Sequence, residues 1–180
     1  MSSIYDFLGD TYATERLKTL SVWSMWSVFA DDDLAIRPHH TDERGRNACE
    51  QMIHQCMSEN LWFCKMLDID VEAPPLPREE TRVAFIEPYA EDSGKRLAAP
   101  REKPEAWGAG QVGFFEVERS RAWVMTRRIA HSAHHWGQLT AMLRMLGRDL
   151  HSTYGPTADT GGLPGAGGRA VTERPGFKES

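Results

Sequence analysis

The chain of 180 residues contains no apolar run approaching the ~18 residues of a membrane span, so a membrane partner is not expected. It has no surplus of positive charge either. Against 21 Lys and Arg stand 26 Asp and Glu, for a formal net charge of −5. No basic stripe stands out, which argues against nucleic acid as a partner. The opening segment MSSIYDFLGD carries acids and no basic region, so it does not read as a secretory signal. Cysteines are few: Cys49, Cys56 and Cys64 are odd in number and fall on one helical stretch. They read as free thiols in a reducing cytoplasm rather than as a disulfide framework. No segment shows the alternation of a strand, and no internal repeat is visible.

What is present is a globular composition, 41% hydrophobic and 26% charged, in a chain long enough for one domain with a sizeable core. Four helical stretches are readable, at 3–31, 41–67, 79–97 and 118–146. The first carries Leu17, Leu20, Trp23 and Val28 at helical spacing, with Pro38 beyond its end. Thr41, followed by Asp42 and Glu43, suits the N-cap of the second. Pro88 should kink or break the third. Gly147 suits the position just past the end of the fourth. The segments between, including a Gly- and Pro-rich stretch at 100–113, read as loops. The core is expected to include Leu20, Trp23, Met52, Cys56, Phe63, Val124, Met142 and Leu146. Long helices joined by moderate loops indicate an all-α four-helix bundle over 1–150, with an irregular Gly- and Pro-rich tail over 151–180.

The chemistry concentrates in the fourth helix. His131 and His135 are four apart and therefore project from one face, half of a transition-metal site. The familiar metalloprotease spacing places a glutamate after the first histidine; here Ser132 stands there, so the ligands are present and the usual base is absent. His54, in the second helix with Met57, Leu61 and Cys64 along a stripe expected to face inward, would complete a three-histidine set. Glu50, one turn earlier, could orient the His54 ring. Arg127 and Arg128 lie one turn before His131, as an anion clamp or as a structural ion pair. His134 points about 100° away from His135. His39, His40 and His151 read as surface or pocket-mouth residues rather than ligands. Gly108-Ala-Gly110-Gln-Val-Gly113 matches a dinucleotide-binding pattern on paper but lacks the preceding strand, and is rejected.

His54, then His131-Ser-Ala-His-His135-Trp-Gly137-Gln138-Leu139, then Leu143-Arg144-Met-Leu146-Gly147 together resemble the DinB/YfiT-like superfamily over roughly residues 10 to 150. The resemblance implies a four-helix bundle, commonly dimeric, holding a divalent metal on three histidines, which carry over to His54, His131 and His135. Its characterised members include thiol S-transferases and a thiol-dependent isomerase. The sequence departs from the commonest pattern at Trp136, where arginine is usual. On these grounds one divalent ion is expected, zinc or nickel, in a cytoplasmic homodimer whose interface uses some of the N-terminal tryptophans. The leading functional expectation is transfer of a low-molecular-weight thiol to a small electrophile. A metal-dependent hydrolase, with Glu50, Glu59 or Asp159 as base, is the alternative, and a non-catalytic metal or small-ligand binding protein the third reading. Candidates for a catalytic role are Glu50, Arg128 and Tyr154. The tail, with Tyr154, Thr157 and Asp159, is expected to line the metal pocket.

Overall fold

The computed structural model describes residues 5–26, 32–37, 39, 41, 45–148, 150 and 153. Among these, six α-helices, one 3-10 helix (Ala99–Glu102, directly after α4) and one small sheet are found, the α-helices and strands in the order α1 (Asp6–Ser24), α2 (Asp32–Ala35), α3 (Ala48–Met66), α4 (Arg82–Ala98), α5 (Glu105–Ala109), β1 (Gln111–Phe114), β2 (Val117–Ser120) and α6 (Arg121–Met145). The protein is mostly helical. Helix α1 packs on α4 and α6, and α3 packs on α6 and α4, so the four long helices enclose a common interior.

Each long helix starts where a polar side chain takes an orphan backbone donor. Asn47 accepts from Glu50 N while the Glu50 carboxylate accepts from Asn47 N, a reciprocal capping box that begins α3. Thr81 and Ser120 cap α4 and α6 by accepting from Ala84 N and Trp123 N. The expected cap at Thr41 is therefore wrong: the helix starts six residues later, at the box. Of the expected kink or break at Pro88, the break does not occur: α4 runs through it as one helix. At the end of α6, Gly147 takes φ +65°, with Arg148 N donating to Leu143 O and Gly147 N to Arg144 O. This is a Schellman motif with glycine in the expected place.

The all-α expectation needs a correction. Residues 111–120 form an antiparallel hairpin, pairing Gln111 with Ser120 and Phe114 with Val117. Its two-residue turn holds Phe115 at φ 53°, a left-handed conformation for which such turns normally recruit glycine or asparagine. Ring contacts secure the hairpin instead: Phe114 packs edge-on against Trp62 and Trp123 at 5.3 and 4.9 Å between centroids.

The core has two apolar clusters. One gathers Trp23, Trp26, Met52, Phe85, Trp136 and Leu139, the other Leu8, Tyr12, Trp62, Phe63, Val124 and Met125. Leu20 and Leu146 pack on the first from partly buried positions. Leu17 does not join them; it is 60% exposed. The clusters meet at Glu59, which is wholly buried. Tyr12 of one cluster and Tyr89 of the other each donate a hydroxyl hydrogen bond to it, both at 2.9 Å. Arg128 and Arg96 complete its shell at 3.0 and 3.4 Å. A buried carboxylate persists only with such partners.

Candidate metal centre

The i, i+4 rows of two helices build the site. On α3, His54, Ser58 and Trp62 form one row; on α6, Arg128, His131 and His135 face it. The Nε2 atoms converge: His131 Nε2 lies 3.2 Å from that of His54 and 3.1 Å from that of His135. All three ligand atoms lie within 4.8 Å of one another. A four-coordinate ion at 2.0–2.1 Å from imidazole nitrogens holds those nitrogens about 3.3–3.4 Å apart. The two short edges are close to that spacing, and three neutral nitrogen donors suit a borderline divalent ion.

Electrostatics keeps the rings neutral. Burial, then the charge of Arg128 and the neighbouring His135 and His54, lowers the pKa of His131 to about 3. His135 is also lowered to about 3, by burial and then by His54, His134 and Arg128. His54 is lowered by burial and then by Arg46 and Arg128. At neutral pH the rings are therefore uncharged, the protonation state in which imidazole binds an ion.

A carboxamide relay orients one ligand. His135 Nδ1 donates to Gln51 Oε1 at 2.7 Å, which leaves Nε2 of that ring proton-free. Gln51 Nε2 in turn donates to Gln138 Oε1 at 2.8 Å, and Gln138 Nε2 donates to His134 at 3.0 Å. Behind His131 the neighbour is a cation. Arg128 Nη1 lies 3.3 Å from His131 Nδ1 and donates to Ser58 Oγ at 3.0 Å. The Trp62 ring, 5.2 Å from the His131 ring, closes the apolar side.

The structure reassigns several residues singled out from the sequence. Glu50 does not reach His54; it closes the capping box and pairs with Arg37 at 2.7 Å. Arg128 is the structural ion pair of the two readings, wholly buried on Glu59, which also removes Glu59 as a candidate base. Ser132 is buried and donates to the Arg128 carbonyl. His134 is exposed, as its angle suggested. The stripe beyond His54 faces outward: Met57 is 46% and Leu61 45% exposed. The cysteines are unpaired. Burial raises the thiol pKa of Cys49 and Cys56 to about 12, so neither is a nucleophile at neutral pH. Tyr154, Thr157, Asp159, His40 and His151 lie outside the described residues. Sequence reasoning missed Gln51, Gln138 and Arg46; Gln51 sits one turn before His54, the position from which a polar side chain can reach the same pocket.

The DinB family profile matches residues 22–162. The chain belongs to the DinB family. Two solved structures share its fold. A DinB-like protein from Bacillus cereus ATCC 10987 is 18% identical, with a TM-score of 0.60 over 76% of this chain and 91% of its own. The DinB-like YjoA of Bacillus subtilis is 15% identical, with a TM-score of 0.62 over 81% of this chain and 95% of its own. No curated protein matches the chain. Within this DinB-family chain the three histidines are the one group of potential metal ligands found among the described residues. A second pocket, lined by Tyr5, Arg101, Lys103 and Trp107, contains none of them. No helix among the described residues is long and apolar enough to cross a membrane.

Proposed function

We propose that His54, His131 and His135 bind one divalent ion, zinc or nickel, in a DinB-type four-helix bundle, and that the centre activates a small thiol for transfer to an electrophile. The observation carrying this reading is that three neutral imidazole nitrogens converge while Glu50 and Glu59, the described carboxylates considered as bases, are committed elsewhere. A bound divalent ion lowers the pKa of a coordinated thiol into the neutral range, so no protein base is required. The chain's own contribution is positional. Gln51 holds the His135 ring, Trp62 excludes water from one side, and the pocket mouth at Arg46, Arg127 and His134 admits the reactants.

Protein purified without a histidine tag or added metal is expected to contain one equivalent of metal, and His131→Ala to lose it. Full stoichiometric metal in that variant would refute the ligand assignment. Metal-loaded protein is then offered a panel of thiols with a generic electrophile. Thiol-dependent conjugation that disappears in His54→Ala supports transferase chemistry. Ester or amide hydrolysis without thiol would replace it with a hydrolase. Ligand binding without turnover would leave a binding protein.

A further inference from the structure

The pocket over the histidines is lined by Arg46, His54, Arg127, His131, His134 and His135, with a volume of about 340 Å³, and opens to solvent. That is room for a small molecule. The lining contains two guanidinium groups and no carboxylate. Arg127 is one helical turn before His131 on α6, and Arg46 immediately precedes the Asn47 cap of α3, so the two arginines approach the histidines from different elements. Both are exposed, and neither forms an ion pair with a described residue. Among the other described arginines, Arg37, Arg96, Arg101 and Arg128 are paired with carboxylates, while Arg16 and Arg82 donate to hydroxyl or backbone carbonyl oxygens. Two unpaired cations beside three neutral donors raise the local potential for an anion, and a divalent ion would add to it.

We infer that the mouth of this pocket is an oxyanion subsite: the small ligand carries a carboxylate or phosphate that Arg46 and Arg127 hold while its other end reaches the histidines. Guanidinium groups match the planar two-oxygen geometry of such a group. This selectivity rests on the metal-centre reading and narrows it to acidic rather than neutral thiols and electrophiles.

The test uses the full-length protein loaded with cobalt(II), whose visible spectrum reports ligands at the metal. It is titrated with 3-mercaptopropionate and with its neutral amide, which share the thiol and differ in charge. The acid should bind about tenfold more tightly. Arg46→Gln with Arg127→Gln should abolish that preference while leaving the affinity for the amide and the cobalt stoichiometry unchanged. Both positions are exposed, and an unchanged melting temperature checks the fold. Equal affinities for acid and amide in the unsubstituted protein, or a preference that survives the double substitution, would overturn the oxyanion subsite while leaving the metal centre standing. Failure to take up cobalt, or no response to either thiol, would overturn both. Competition by inorganic phosphate and by acetate supports the subsite and decides between the two oxyanions by whichever displaces the acid at lower concentration.

Discussion

At the scale of the residue, Gln51 has the most specific duty. It is a neutral side chain that accepts from His135 Nδ1 and is itself held by Gln138. Gln51→Leu keeps the volume and removes the acceptor. Metal affinity, read by competition with a chromophoric chelator, should fall about 10–100-fold with the fold intact. An unchanged affinity would mean that the ring is positioned by packing alone. Glu59 carries a larger stability consequence. Glu59→Ala would strand Arg128, Arg96 and two tyrosine hydroxyls in a dry interior, at a cost of about 3–5 kcal/mol. Urea unfolding checks this, the expected outcome being a lower midpoint; a midpoint within error of the parent would show that water reaches the cluster.

At the scale of the element, legibility in the sequence follows the range of the forces involved. The helices were readable because their apolar positions repeat locally, and the His131–His135 pair because one turn of one helix sets its geometry. Gly147 was readable because glycine tolerates the left-handed residue that ends α6. The hairpin was not, since rings brought in from α3 and α6 stabilise it and its turn holds Phe115 where a sequence reader looks for glycine. The start of α3 was misplaced because Thr41, Asp42 and Glu43 imitate a cap, while the operative Asn47–Glu50 box lies beyond them. That same box accounts for the misassigned Glu50: a carboxylate one turn before a histidine looks like its partner until the helix start claims it. Arg128 could not be placed either, because its partner Glu59 is 69 positions away.

At the scale of the molecule, the tryptophans expected at a dimer interface are interior: Trp23 and Trp26 are 0% and 1% exposed. A homodimer stays a proposal that other surfaces would have to support. The site's electrostatics also reaches the whole chain through linkage. His131 and His135 titrate near 3 when folded, against about 6.5 for an unperturbed imidazole, so between those values the unfolded chain binds more protons. Metal-free protein should therefore lose stability as pH falls from about 6.5 towards 3, and these two groups should contribute no pH dependence above that window. Chemical denaturation at a series of pH values, compared with His131→Ala, isolates the contribution; identical pH slopes would show the rings to be solvated. The placement of the ligands along the chain carries a temporal meaning as well. His54 and His131 are 77 positions apart, and synthesis delivers the N-terminal part first. A nascent chain that has emerged through α4 holds one of the three donors; the other two arrive together, in the last long helix. An ion held at these histidines would therefore find its full donor set only once the last long helix has been made, so it could not template the earliest stages of folding.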